Sequence, residues 1–142
     1  MAVNTRFAVA VHSAGMIAFG ERMVVTSESI AKSVGTNPVV VRRVCGMLVK
    51  AGLVTMRKGQ NGGALLTRPP KQITLGDIYR AVESGPVLQV PKSKENCDCR
   101  VGRLVGGVLR KLFCRAEDGM LQRLDRMKLA DVIEAVQEEK EL

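Results

Sequence analysis

The chain has few aromatic side chains: one Tyr, three Phe and no Trp in 142 residues. Its core is therefore expected to be aliphatic, with a share of methionine. No uninterrupted apolar run reaches the ~18 residues that a membrane-spanning helix needs. The fairly apolar segment 7–19 is broken by His12 and Ser13, which favours a buried helix over a signal segment. These features predict a cytoplasmic location and no membrane partner.

The patterns that usually accompany catalysis are also missing. The chain has a single His, no phosphate-binding loop of the form G-x-x-x-x-G-K-[ST], and no repeated C-x-x-C that would hold zinc. No group of residues has the arrangement of a nucleophile and its base. An enzyme is therefore not expected, and the prediction is for no catalytic residues, no resident metal and no cofactor.

Positive charge is concentrated in the first half of the chain. Residues 1–75 contain ten Lys or Arg and two Glu, so they carry the whole formal net charge of +8, and the remainder is neutral overall. Such an excess favours a polyanionic partner. Considered alone, it also fits a basic surface that only keeps the protein soluble.

Segment 26–70 begins with two helix patterns separated by a turn. Thr26 or Ser27 can cap a short helix that ends at Gly35, because glycine tolerates the left-handed backbone of a helix end. Asn37, followed by proline, is a strong start for the next helix, whose apolar residues recur on one face. The spacing predicts a helix-turn-helix.

A strand–turn–strand pattern follows these helices. The β-prone pieces 53–56 and 64–66 flank a basic, glycine-rich tip at 57–63. The succession predicts a mainly α fold with a small β-wing, that is, a winged helix-turn-helix. Such a module places its second motif helix in the DNA major groove.

The second half of the chain shows a longer helical pattern. A helix capped by Thr74 is expected to stop near residue 85, and residues 86–98 have no helical period. Apolar residues then step by threes and fours over 101–127, and a short helix follows at 129–136. So long a stripe needs a partner surface, and a second copy of the chain is the simplest candidate. The predicted interface residues are Val101, Leu104, Val105, Val108, Leu112, Ala116, Met120 and Leu124.

The predicted domains follow from these patterns. Residues 1–85 form a winged helix-turn-helix DNA-binding domain, residues 86–98 a linker, and residues 99–142 a helical dimerisation region with a long C-terminal helix.

Four stretches resemble the Rrf2 family of bacterial winged-helix regulators: Thr5–His12, Val25–Val44, Leu48–Pro70 and Ile73–Glu83. The wing signature is the most specific part, with a basic pair, then G-x-x-G-G, then R-P-P. The resemblance implies a homodimeric transcription factor, usually a repressor, that binds double-stranded DNA at a pseudo-palindromic operator. It also implies a long C-terminal dimerisation helix.

The cysteine spacing separates two branches of that family. Cluster-binding members place three cysteines with about five to seven residues between neighbours, before the long helix. Here one residue lies between Cys97 and Cys99, and fourteen lie between Cys99 and Cys114. The run N-C-D-C-R-V-G resembles instead the start of the long helix in members without an iron–sulfur cluster. We therefore expect the DNA-binding residues without the cluster.

The candidate DNA contacts lie on the third helix, its approach and the wing. Arg42 and Arg43 could reach a guanine edge or a phosphate, with a merely solvated basic face as the alternative. Backbone N–H groups at the start of that helix could bind a phosphate, and the wing cations could enter a minor groove. The predicted contacts are Ser27, Thr36, Asn37, Val39, Val40, Arg42, Arg43, Arg57 and Lys58.

The cysteines leave the regulatory signal open. Cys97, Cys99 and Cys114 are the candidate redox or regulatory residues, because nearby cations favour a reactive thiolate in the linker. One alternative is a metal- or arsenic-type sensor, in which Cys97 and Cys99 bind a soft metal with Cys114 or a partner's thiol. Another is a small thiol oxidoreductase. Cys45 is expected to pack in the core, and His12 to be a buried, hydrogen-bonded histidine.

Overall fold

The structure, a computed structural model, describes residues 4–20, 25–60, 62–92 and 98–140. The chain divides into two compact units. We call Met1–Glu83 with Leu124–Leu142 the head, and Ser84–Arg123 the arm. The elements, in chain order, are α1 (Arg6–Phe19), α2 (Ser27–Val34), α3 (Pro38–Lys50), β1 (Val54–Arg57), β2 (Gly63–Leu66), a 3₁₀ turn (Pro70–Gln72), α4 (Leu75–Val82), α5 (Arg100–Leu124) and α6 (Leu129–Lys140).

Side-chain caps set where the helices of the head begin. Thr26 Oγ1 accepts the N–H of Ser29 at 3.1 Å, and Ser29 Oγ accepts the N–H of Thr26 at 3.0 Å. Asn37 Oδ1 accepts the N–H of Val40 at 3.1 Å, and Thr74 with Asp77 repeats the reciprocal cap at α4. The three predicted caps are therefore confirmed, and each satisfies backbone donors that would otherwise lack a partner.

Two glycines end the motif helices as the sequence predicts. Gly35 (φ 83°) follows α2 and Gly52 (φ 77°) follows α3, both in the left-handed region that disfavours other residues. The backbone N–H groups of Gly35 and Thr36 both donate to the carbonyl of Ala31 at 2.9 Å. The turn between α2 and α3 is thereby held by its own backbone.

The wing is a two-stranded antiparallel sheet. Its register pairs Val54 with Leu66 and Arg57 with Gly63. A Cβ on Gly62 would overlap the carbonyl oxygen of Arg57, so the tip needs glycine there. Gly63 has a φ of 146°. Glycine is therefore needed at 62 for steric room and at 63 for its positive φ.

The head core is aliphatic, as expected. It joins α1, α3, α4, β1 and α6, and each fully buried aliphatic side chain contributes about 1.5–3 kcal/mol by leaving water. Methionine has a smaller share than expected, because Met47 packs only partly buried at the edge of this core and Met16 against a second, smaller cluster. The buried residues of the main cluster are Val9, Ala10, Ala14, Ile17, Val44, Leu48, Leu53, Val54, Ile73, Ile78, Val82 and Leu129.

The last helix belongs to the head. Leu129 is wholly buried in the head core, and its N–H donates to the carbonyl of Ile73 at 2.9 Å. The N–H of Leu75 donates to the carbonyl of Met127 at 2.8 Å. The compact units thus divide the chain differently from the predicted region 99–142, because this backbone pairing and the burial of one leucine attach the C-terminal segment to residues 73–75 at the start of α4.

An ion pair strengthens the same attachment. Arg80 Nη1 and Nη2 donate to the two carboxylate oxygens of Asp125, both at 2.7 Å. The hydrogen bonds from Arg80 lower the pKa of Asp125, against a smaller opposing effect of desolvation. A Cβ on Gly76 would overlap this carboxylate, so glycine permits the close approach.

The arm consists of an irregular segment and nearly all of α5. The N–H of Leu88 donates to Glu117 Oε1 at 2.7 Å, which holds the segment against the helix. Residues 86–92 and 98, the described part of the predicted linker 86–98, contain no helix. The helix ends at Leu124, three residues before the predicted end.

Among the helices described here, none combines the length and the apolar character needed to cross a membrane.

Candidate nucleic-acid interface

One face of α3 is buried and the other is open to solvent. Val41, Val44 and Leu48 pack inward with at most 2% exposure, whereas Arg42 and Arg43 are exposed. This helical alternation places the two arginines on the outside, as the sequence predicts. Their contact with DNA stays a prediction.

The other predicted residues of α3 differ in exposure. Val39 is 59% exposed, and such an apolar surface can contact a thymine methyl group in a major groove. Val40 and the α2 residue Ser27 are partly buried. Of the three, Val39 presents the most surface to a ligand.

The turn before α3 has fewer available donors than the sequence suggests. The backbone N–H of Thr36 already donates to Ala31, and that of Val40 to Asn37 Oδ1. The expectation that Thr36 offers its N–H to a phosphate is therefore wrong, because that N–H closes the end of α2. The side chain of Asn37 is likewise engaged in capping.

Arg42 forms an ion pair that the sequence analysis missed. Its Nη2 donates to Glu28 Oε1 at 2.7 Å, which joins α3 to the first turn of α2. One signal could have indicated it: Glu28 is one of only two acidic residues in the first 75. The partners are 14 positions apart on two different helices, so the periodicity of a single helix does not pair them.

The wing supplies further exposed cations. Arg57 ends β1 and Lys58 begins the turn, and both are exposed. Within the part of the chain that the structure describes, neither forms an ion pair, and the same holds for Arg43. These charges are therefore available to a polyanion.

Other cations of the head are neutralised nearby. Arg6 pairs with Glu83 at 3.6 Å and Arg68 with Asp77 at 3.5 Å, while Arg80 is bound to Asp125. These acids lie on α4, next to its end, or just before α6. In contrast, Arg43 on α3 and the wing residues Arg57 and Lys58 have no ion-pair partner among the described residues.

The structure agrees with the prediction for Cys45 on α3 and disagrees with the prediction for His12 on α1. Cys45 is partly buried against the smaller core cluster, and burial raises the pKa of its thiol while the hydroxyl of Ser13 opposes the shift. The predicted packing role of Cys45 is confirmed. The expectation of a buried His12 is wrong, because this residue is exposed and its Nε2 lies 2.9 Å from Ser33 Oγ.

The candidate regulatory cysteines of the arm lie far apart. Cys99 Sγ accepts the N–H of Gly102 at 3.5 Å at the start of α5, and Cys97 lies outside the described residues. Cys114 lines a cleft of about 410 Å³ with Arg110 and Phe113. At 1.5 Å per residue, the helix separates Cys99 from Cys114 by about 22 Å. The idea that one chain binds a metal through both is therefore wrong.

The predicted dimer residues of the arm face solvent in the isolated chain. Val101 is 69% exposed and Leu112 51%. Leu124 differs from the other predicted positions because it is the last residue of α5, belongs to the head and is partly buried. The remaining predicted positions are all exposed: Leu104, Val105, Val108, Ala116 and Met120.

The arrangement of α1–α4 with the wing defines a winged helix-turn-helix protein, and comparisons with known proteins agree. The family model for Rrf2, described as an iron-dependent transcriptional regulator, matches residues 3–135. The chain is 38% identical over 131 residues to YwnA of Bacillus subtilis (strain 168), assigned by name to the HTH-type transcriptional regulators. That alignment covers 92% of this chain and 96% of YwnA.

Solved structures show the same relationship. A crystal structure described as a DNA-binding protein is 36% identical with a TM-score of 0.71, covering 90% of this chain and 98% of its own. The T. potens protein IscR is 26% identical with a TM-score of 0.72, covering 98% and 90% respectively. The chain belongs to the Rrf2 family, as the resemblance predicted. It is a DNA-binding transcriptional regulator of that type.

The iron in the family's description finds no matching donor set in the described residues. Among the described residues, which do not include Cys97, no three His, Cys, Asp or Glu side chains lie close enough together to hold a metal ion. Iron–sulfur clusters need several thiolates around one centre, and Cys99 and Cys114 are about 22 Å apart by helical rise. The described residues do not fit such a group. The absence of a cofactor stays a prediction.

Proposed function

We propose that this protein is a homodimeric, sequence-specific repressor that binds a pseudo-palindromic operator in double-stranded DNA. The observation that carries the proposal is the outer face of α3, where Arg42 and Arg43 project opposite a buried apolar face. Arginine donors on an exposed helix suit guanine edges in a major groove. A cytoplasmic location follows from DNA as the partner.

The wing supplies the second part of the interface. Arg57 and Lys58 lie at its tip without ion-pair partners among the described residues. Unpaired cations on a β-wing suit phosphates or a narrow minor groove, where the negative potential is strongest. We assign sequence reading to α3 and mainly backbone contact to the wing.

Dimerisation accounts for the apolar row on α5. Val101, Val108 and Leu112 each expose more than half of their surface in the single chain, and monomers rarely present such a contiguous apolar patch. A second α5 would cover it and place two α3 helices on half-sites about one helical turn apart.

The decisive experiment selects bound duplexes from a random DNA pool and then compares variants on the selected operator. Arg42→Ala and Arg43→Ala are expected to reduce discrimination against mismatched sites by roughly 1–3 kcal/mol, because a base contact carries sequence information. Lys58→Ala should weaken binding to all sequences about equally. Lys71→Ala, outside the proposed interface, is the control. Failure to enrich any sequence, or equal effects of all four variants, would contradict the proposal.

Operator affinity is proposed to respond to a redox or small-molecule signal at the arm cysteines. Cys99 and Cys114 are exposed, and a peroxide oxidises accessible cysteines to sulfenic acids and is itself reduced to water or an alcohol. Peroxide treatment is expected to change operator affinity in the wild type, and substitution of Cys97, Cys99 or Cys114 by Ser should abolish the change. Cys45→Ser is the matched control, because burial raises the pKa of that thiol. An unchanged affinity after quantitative thiol oxidation would exclude the redox signal.

A further inference from the structure

The ion pair between α2 and α3 is too exposed to matter greatly for folding. The side chains of Glu28 and Arg42 are 65% and 58% exposed, and their Oε1 and Nη2 atoms are 2.7 Å apart. Exposed pairs of this kind contribute little to stability. Their main physical effect is to orient the arginine and to place a negative charge beside it.

The neighbouring arginine provides an internal comparison. Arg43 is exposed on the same helix, yet it forms no ion pair with any of the described residues. Of these two adjacent arginines on the proposed DNA face, Arg42 has a carboxylate beside it and Arg43 has none among the described residues. A phosphate can approach Arg43 freely, whereas near Arg42 it also meets the negative charge of Glu28.

The chemistry of arginine makes this difference consequential. A guanidinium group has five N–H donors, so Arg42 keeps donors at Nη1 and Nε while Nη2 binds Glu28. Nη2 carries two N–H groups, so its second N–H and the adjacent N–H of Nη1 or Nε can still donate together to O6 and N7 of guanine, which carry no net charge to be repelled. A phosphate offers no sequence information, and a nearby carboxylate disfavours it.

We infer that Glu28 is a positioning and specificity-determining residue, which holds Arg42 for base contact and prevents its use as a phosphate ligand. The inference rests on the proposed role of α3 in DNA binding. In this role the carboxylate of Glu28 repels DNA phosphates near Arg42. Affinity for arbitrary DNA is thereby lowered, and discrimination between sequences increases.

The test compares Glu28→Gln with the wild type on two probes, the operator selected from the random pool and a scrambled duplex of equal length. Glu28→Gln is expected to bind the scrambled duplex more tightly. Its salt dependence should steepen by about 0.9 in the slope of log K against log salt, the value for one additional phosphate contact. The operator-to-scrambled affinity ratio should fall roughly fivefold to a hundredfold, the range for losing one bidentate base contact.

Two double variants separate this mechanism from a change in charge or folding. In an Arg42→Ala background, Glu28→Gln should have no further effect on the ratio, whereas in an Arg43→Ala background the effect should persist. Glu138→Gln removes an exposed carboxylate from α6 and is the control for net charge. Melting temperatures of all variants show whether the loss of an acidic residue from the first turn of α2 affects the fold.

The outcomes distinguish failure of the inference about Glu28 from failure of the proposed function. If Arg42→Ala relaxes specificity but Glu28→Gln changes neither the ratio nor the salt slope, Glu28 has no positioning role and the repressor proposal stands. If Glu28→Gln acts equally in both arginine backgrounds, its effect is general electrostatics and the inference is overturned. If the wild type does not distinguish operator from scrambled DNA, the proposed function and the inference fail together.

Discussion

Apolar side chains are buried in the head but largely exposed on the long helix of the arm. Leu48 and Leu129 in the head are completely covered, whereas Val101, Val108 and Leu112 in the arm are each more than 50% exposed. Both regions contain helices with regular apolar spacing, so helical pattern alone does not produce burial. The head brings several elements around one core, while α5 has only a short irregular segment of its own unit to pack against.

This difference suggests two sources of stability. The head needs no other chain to cover its core, because its apolar faces meet one another within one unit. The arm leaves an apolar row that association would cover. Changes in the head should therefore act on unfolding, and changes on the row should act on assembly.

The largest expected effect comes from Leu112→Lys. A charge in the apolar row should dissociate the proposed dimer and lower operator affinity by roughly 10²–10⁴, because the second head loses its effective-concentration advantage. Sedimentation and operator binding measure the two consequences. Asp118→Asn changes the net charge equally at an exposed position about two-thirds of a turn round the same helix, and should have little effect on either measurement.

A wild type that sediments as a monomer at micromolar concentration would remove the basis of this prediction. A Leu112→Lys protein that stays dimeric with full affinity would show that the exposed row has another role. Either result would break the proposed contrast between a self-sufficient head and an arm that needs a partner.

The second effect is on the head core. Leu48→Ala should lower the free energy of unfolding by about 2–5 kcal/mol, because it removes a fully buried side chain and leaves a cavity. Denaturant unfolding measures this change, and sedimentation should show the same oligomeric state as the wild type. Val49→Ala, at the adjacent position that is 38% exposed, should cost far less. Equal losses for the two variants would argue against a closed core.

The smallest effect concerns the ion pair that attaches the C-terminal segment. Asp125→Asn should lower the melting temperature by no more than about 4 °C, because the pair is exposed. Arg80 lowers the pKa of Asp125 from its ordinary value of 3.8. The stabilisation is therefore fully present above that value and is lost as the pH falls through the folded-state pKa.

Melting temperatures of the wild type and Asp125→Asn across a pH series test whether the stabilisation by this ion pair is lost in acid. The difference between them should be constant above about pH 5 and shrink below the ordinary pKa of 3.8. Glu138→Gln, at an exposed position on α6, should show no such trend. A difference that grows in acid would contradict the assigned pKa direction.

The sequence by itself determined the features that depend on near neighbours. Thr26 and Asn37 cap their helices through the N–H groups three residues on, and Gly35 adopts the left-handed backbone that ends α2. Each interaction closes within a turn of helix, so residue type and spacing suffice to predict it. The inward and outward faces of α3 follow from the same period, and with them the exposure of Arg42 and Arg43.

Only the tertiary structure decided the features that join distant residues. Asp125 binds Arg80 across 45 positions, and burial of Leu129 attaches α6 to the head rather than to the predicted dimerisation region. Glu28 meets Arg42 because α2 and α3 cross at the turn held by Gly35, a geometry that no single helical period encodes. Such contacts depend on how elements pack, and each element's own pattern is compatible with several packings.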